Sequence, residues 1–322
     1  MKWALGGVAL LGVAGALLWL FGPREPVDLE IAFATEDIPE DLDAWLVARE
    51  AEVPALRPGA ERRIVWAGAP GLRTPLALVY LHGFSASAEE IRPVPDRAAA
   101  ALGANLYFAR LRGHGRDGPA MAEATAGDWI EDLAEAIAIG RRIGERVVLI
   151  GTSTGGTLAA LAAYDPRLSD GVAGIVFVSP NFRINSAGAG LLTAPFARRW
   201  LPVVLGAERG FEPENEGQAA HWTTRYPSVA VLPMAALVAH HARLDPAAAT
   251  LPALFLYSEH DEVVSPAATG RVASAWGGPT DVHTFVMGAG DDAFNHVIAG
   301  DILSPGQTTR AVDLIVDWAR DL

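Results

Sequence analysis

Cysteine is absent from the 322-residue chain, which excludes thiol nucleophiles, disulfides, thiolate metal sites and lipid attachment at a cysteine. Lysine is nearly absent. Lys2 is the only one, and every other basic residue is arginine. Schiff-base chemistry, a serine-lysine dyad and a phosphate-loop lysine each need a lysine inside a folded domain, so all three are excluded. Excess positive charge is missing as well: 25 Lys and Arg stand against 38 Asp and Glu, a net charge of −13. That balance argues against nucleic acid as a partner and weakens peripheral binding to anionic lipid. No two of the eight histidines have the H-E-x-x-H spacing that puts two metal ligands on one helical face, and no metal site is expected.

Hydrophobic residues make up 51% of the chain and charged residues 20%, too apolar for disorder and too evenly spread for a polytopic membrane protein. The exception is the start. Trp3 to Phe21 is a run of 19 uncharged, apolar residues, about 28 Å as a helix, which is close to the thickness of a bilayer core. An uncleaved anchor over residues 1–22 is the preferred reading. A cleaved signal sequence competes through Ala14-Gly15-Ala16, but cleavage there would expose Leu17 to Phe21. Lys2 precedes the run while Arg24, Glu25, Asp28 and Glu30 follow it. The positive-inside rule then leaves the N-terminus cytoplasmic and the domain exported, at the periplasmic face or cell surface of a bacterium.

Residues 23–59 read as an acidic linker with a short helix from Asp41 to Val47. From about residue 60 strands and helices alternate. Strands are expected at Arg62–Trp66, Leu76–Leu81, Leu106–Leu111, Arg146–Ile150, Val172–Val178, Leu254–Tyr257 and Val282–Val286. Helices are expected at Asp128–Ile143, Ser153–Tyr164, Pro266–Trp276 and Thr308–Leu322. Continuous apolar strands alternating with helices mean an α/β domain whose mostly parallel sheet is covered on both faces. The alternation fails between about residues 180 and 249, a Pro- and aromatic-rich stretch that reads as an inserted cap over the sheet's carboxyl edge.

Gly151-Thr152-Ser153-Thr154-Gly155 follows a strand and opens a helix, the context in which G-x-S-x-G is a nucleophile elbow. Only small residues fit two before and two after such a serine, and Gly151 and Gly155 meet that need. The strand ending at Leu81 runs into His82-Gly83-Phe84, and Arg112-Gly113-His114-Gly115 follows the next strand. Together these turns resemble the α/β-hydrolase family, in particular its carboxylesterases and monoacylglycerol-lipase-like members, over about residues 60–322. The resemblance implies that Phe84 and Thr154 supply the two backbone N–H donors of an oxyanion hole. It also makes His82 and Gly83 structural parts of that turn and gives His114 no catalytic role.

Family chain order, serine then acid then histidine, implies His296 in Asp292-Ala293-Phe294-Asn295-His296 as the base. The same order implies Asp261 as the acid, in the D-x-V-V turn Asp261-Glu262-Val263-Val264, with Glu259, Glu262, Asp291 and Asp292 competing. His283 reads as a strand side chain. The implied activity is hydrolysis of carboxylic esters with short to medium acyl chains, through an acyl-enzyme on Ser153 and without a cofactor. A small-molecule or lipid ester is the implied partner. A peptidase, amidase or thioesterase on the same residues stays open, as does an idle ligand-binding envelope protein. Oligomeric state and substrate-binding residues are not legible.

Overall fold

The computed structural model of the protein describes residue 15 and residues 17–322. Most of the expected anchor therefore lies outside the described residues. Residues 17–21 are helical, with Leu17, Leu18, Trp19, Leu20 and Phe21 all exposed. Among the described residues no helix is long and apolar enough to cross a membrane. Beyond this helix the chain is fastened to later segments. Phe196 N donates to Pro23 O at 2.7 Å, Arg24 donates to Thr193 O at 2.8 Å, and Arg198 pairs with Glu25.

Nine strands follow: β1 (Arg63–Val65), β2 (Thr74–Leu81), β3 (Asn105–Phe108), β4 (Gly144–Thr152), β5 (Val172–Val178), β6 (Glu208–Gly210), β7 (Arg225–Pro227), β8 (Ala253–Tyr257) and β9 (Thr280–Thr284). Seven of them form one sheet in the order β1-β3-β2-β4-β5-β8-β9. All neighbours in it are parallel except β1, which pairs antiparallel with β3. The last six residues of β2 are all buried, as a parallel strand covered on both faces requires. Its alternate residues enter opposite layers. Ala77, Val79 and Leu81 join Trp129, Leu158 and Trp276 on one face, while Leu76, Leu78 and Tyr80 join Ile91, Ile298 and Ile315 on the other. The architecture is an α/β-hydrolase fold.

Local signals account for the covering helices. Thr125 and Asp128 form a capping box at the start of the Ala126–Ile143 helix, and Gly144 ends it. Ser265 caps the Pro266–Ala275 helix by accepting from Ala268 N. In the Thr308–Arg320 helix Ala311, Val312, Ile315, Val316 and Ala319 are buried, one face at helical spacing. Three expectations need correction, the first being the strand expected at Leu106–Leu111, which runs Asn105–Phe108 because its pairing with β2 ends at Phe108. A helix at Val94–Leu102 stands where the sequence reading had none. The last strand is Thr280–Thr284 rather than Val282–Val286, because pairing ends where its neighbour ends, with Tyr257 opposite Thr284.

Between β5 and β8 the chain forms helices at Ala197–Leu205, Glu216–His221 and Val231–His241, with β6 and β7 paired as a separate two-stranded sheet. The Val231–His241 helix is buried along nearly its whole length and shares a core layer with the Thr154–Leu161 helix. Residues 214–226 rest instead on loops at the sheet's carboxyl edge. Thr223 N donates to Ser85 O at 2.7 Å, and Asn215 Nδ2 donates to Ile302 O at 2.7 Å.

Candidate active site

Strands β2, β4, β8 and β9 run parallel, so the loops that follow them emerge at one edge of the sheet, where ligands of open α/β folds bind. Ser153 follows β4 directly, at φ 51° and ψ −115°, a conformation that costs a non-glycine residue free energy. The turn is held on both sides. Ser153 N donates to Val178 O at 3.0 Å, and Asn181 N donates to Ser153 O at 2.9 Å. A Cβ at Gly151 would lie 2.7 Å from Gly156 N, and one at Gly155 would lie 2.7 Å from His82 O. No side chain fits at either position, which is the steric basis of the motif.

The acid and the histidine come from two further loops. His296 Nδ1 lies 2.8 Å from Asp261 Oδ2, and Asp261 Oδ1 accepts from Val263 N and Val264 N at 2.8 Å each. Both residues are buried. Burial disfavours the imidazolium, but the Asp261 charge and hydrogen bond outweigh it, aided by Asp292 and Glu90, and hold the His296 pKa above its ordinary value. Asp292, a competing acid in the sequence, is turned elsewhere. Its Oδ2 accepts from His296 N at 2.7 Å and Val297 N at 2.8 Å, so it supports the backbone of the histidine loop. Among the described residues the side-chain hydrogen bond of His296 goes to Asp261 and none joins it to Ser153 Oγ; a nucleophile–base contact often tightens only when substrate binds.

His82 Nε2 accepts from Leu111 N at 3.1 Å, which leaves Nδ1–H to donate to Gly83 O at 2.9 Å. Burial drives its pKa down to about 4, so the ring is neutral and ties the turn to the loop after β3. Phe84 packs edge-on against Tyr226, with centroids 5.3 Å apart, and against His114. The Arg112-Gly113-His114-Gly115 turn thus backs the Phe84 side chain. The Phe84 and Thr154 amides, the two donors implied by the turn motifs, make no hydrogen bond to protein among the described residues. The Thr154 hydroxyl, also buried, has no partner there either.

Sequence reasoning missed Glu90. Its Oε2 accepts from Gly83 N at 2.7 Å and from the Tyr80 hydroxyl at 2.9 Å. It sits in Ala88-Glu89-Glu90-Ile91-Arg92, which reads as a solvated charged turn, and no local pattern distinguishes it. The segment between β5 and β8 also approaches the histidine loop, where Glu214 lies beside Asp292. Burial, together with the neighbouring Asp292 carboxylate, raises the Glu214 pKa. A groove of about 760 Å³ opens between residues 182–193, the Val231–His241 helix and the Pro266–Ala275 helix, and neither Ser153 nor His296 lines it.

Comparison with known proteins bears on the family and the fold. The family described as "Serine aminopeptidase, S33" matches residues 74–287. A thermostable monoacylglycerol lipase of Bacillus sp. (strain H-257) is 28% identical over 194 residues, covering 60% of this chain and 73% of that protein. A solved structure from work on the metagenome-derived lipolytic enzymes LipS and LipT aligns at TM-score 0.63 and 23% identity, covering 81% of this chain and 99% of that one. A soluble variant of monoglyceride lipase from Saccharomyces cerevisiae, bound to a substrate analogue, aligns at TM-score 0.61 and 10% identity, covering 81% and 91%. At these identities the two structures bear on the fold.

Proposed function

The chain belongs to the serine aminopeptidase family, and from that premise we propose that it is a serine hydrolase of carboxylic esters with short to medium acyl chains. The observation that carries the reading is a strained serine at the same sheet edge as a histidine whose Nδ1 is taken by a buried aspartate. The 28% identical monoacylglycerol lipase supports an ester substrate. In this mechanism His296 removes the Ser153 proton as Oγ attacks the ester carbonyl, and Asp261 fixes the tautomer that leaves Nε2 as the base. The oxyanion is held by the Phe84 and Thr154 amides, and each such donor typically contributes about 3 kcal/mol to the transition state. The C–O bond then breaks, His296 gives its proton to the departing alcohol, and water, activated by the same imidazole, releases the acid and restores Ser153.

The test is covalent. Full-length protein in detergent, treated with a fluorophosphonate probe, should carry the adduct on Ser153, and His296→Ala should lose it. A folded protein that stays unlabelled would refute the reading. The family's own description favours a second reading, cleavage of an aminoacyl amide on the same residues. Matched p-nitrophenyl esters and aminoacyl p-nitroanilides separate the two, and the ester series also measures the acyl-chain limit. The N-terminal apolar run belongs to the proposal as a membrane tether that keeps the domain near lipid esters, and extraction of the full chain by detergent but not by alkaline carbonate would support it.

A further inference from the structure

One buried carboxyl group at the catalytic edge has no part in the mechanism above. Glu90 is 2% exposed, and among the described residues no arginine or lysine pairs with it. Its neighbour Glu89 takes both nearby arginines, Arg63 at 2.9 Å and Arg92 at 2.7 Å. What faces Glu90 is catalytic scaffolding. From the turn after β2, Gly83 N donates to it, and from β2 itself the Tyr80 hydroxyl does. Thr152, the residue before Ser153, is 3.1 Å from the same Tyr80 hydroxyl. A Cβ at Gly83 would meet Glu90 Oε1 at 2.6 Å and Ser153 Cβ at 3.1 Å, so carboxylate and nucleophile flank the turn from two sides. The backbone of the Glu90 turn lies against the histidine loop: Glu90 O is 3.0 Å from a Cβ built at Gly300, and Asp301 N donates to Arg92 O at 2.9 Å.

A neutral acceptor would satisfy the Gly83 amide at lower cost. Burying an unpaired carboxylate is expensive, and here burial raises the Glu90 pKa to about 7, against the lowering influence of Gly83 N–H, the Tyr80 hydroxyl and the His296 charge. A carboxyl group buried here, charged above about pH 7, is explained if a positive charge develops near it during turnover. The group that gains such a charge is His296, which becomes imidazolium when it takes the serine proton, and Glu90 is among the charges that raise its pKa. Resting on the ester-hydrolase reading, we propose that Glu90 is a positioning residue with two roles. Its carboxylate fixes the Gly83 amide, so that the next amide, Phe84 N–H, is aimed at the oxyanion, and its negative charge favours the imidazolium form of His296.

The test compares Glu90→Gln, which keeps an acceptor of the same shape without the charge, with wild type. The readouts are fluorophosphonate labelling rate and ester kcat across pH 5–9. The variant should label and turn over about tenfold more slowly at the plateau with KM within about twofold, the pattern of an interaction made in the transition state. Its acid limb should move to lower pH. Thermal unfolding supplies a readout independent of activity. The raised carboxyl pKa means that the native state loses stability as pH rises from the unfolded value of 4.5 through about 7. Glu90→Gln should therefore unfold at a higher temperature than wild type at pH 8 and show no such gain at pH 4. Equal plateau rates and an unmoved acid limb would overturn the proposal. Wild-type protein that neither labels nor hydrolyses would overturn the ester-hydrolase reading instead.

Discussion

Asp261 meets His296 across 2.8 Å while its second oxygen is held by two backbone amides, Val263 N and Val264 N. The carboxylate therefore cannot rotate to serve another partner without losing two charge-assisted hydrogen bonds, each worth roughly 1.5–3 kcal/mol. This separates Asp261 from Asp292, whose oxygens serve main-chain amides of the histidine loop.

Asp261→Asn should lower kcat for p-nitrophenyl esters by about 10⁴ with little change in KM, because an amide at this position favours the wrong imidazole tautomer. Asp292→Asn keeps one acceptor for the backbone amides and should cost only about tenfold, a difference that steady-state kinetics on the two variants would resolve. Equal losses would mean that the acid is not uniquely Asp261.

The raised pKa of His296 fixes the sign of the pH dependence. The neutral imidazole is the base, so activity should rise with pH through a midpoint above the ordinary histidine value of about 6.5. The stability contribution runs the other way: a raised histidine pKa stabilises the fold below the unfolded pKa, and that stabilisation disappears as pH rises through the folded value. In Asp261→Asn the acid limb of labelling should move downward, and a limb that stays in place would show that another group titrates.

Gly83 tests the turn itself. Gly83→Ala inserts a Cβ 2.6 Å from Glu90 Oε1 and 3.1 Å from Ser153 Cβ, so the Glu90 carboxylate, the turn or both must move, and the Glu90–Gly83 contact is disturbed in each case. Displacing one oxyanion donor should cost about 10²–10³ in kcat, while Thr154→Val, whose proposed donor is the backbone amide, should stay within about fivefold. Rate measurements on both variants would distinguish backbone donors from a role for the Thr154 hydroxyl, which would make the second variant as slow as the first.

The sequence was most legible where chemistry demands a local backbone shape. Gly151 to Gly155 and His82 to Phe84 announce themselves because tight turns admit so few residues, and the apolar strands because both their faces are covered. What escaped notice depends on contacts distant in sequence. The Val94–Leu102 helix is mostly alanine beyond its first turn and carries little polar contrast to mark its buried face. Only the fold separates Glu90 from Glu89: one faces the catalytic edge and the other meets surface arginines. The same holds for Glu50, which lies in a segment that reads as an acidic linker with a short helix.

Glu50 lies in the last turn of the helix Leu42–Ala51, whose Leu42 and Leu46 are buried in the main core. Its carboxylate accepts from Arg62 Nε at 2.6 Å and from Arg110 Nε at 2.7 Å, and Arg62 also pairs with Glu135. The segment before the first strand is thus bound to the hydrolase domain through a buried ion network. Burial alone would raise the Glu50 pKa, but the two arginines lower it below the ordinary carboxylate value. A depressed carboxyl pKa gives stability that is present above the unfolded pKa and lost as pH falls through the folded one. Glu50→Gln leaves Arg110 without a carboxylate partner, while Arg62 keeps Glu135, and should cost about 3–5 kcal/mol at pH 7, with a smaller cost near pH 3, as measured by urea unfolding. A variant as stable as wild type at pH 7 would show that the helix is held by Leu42 and Leu46 alone.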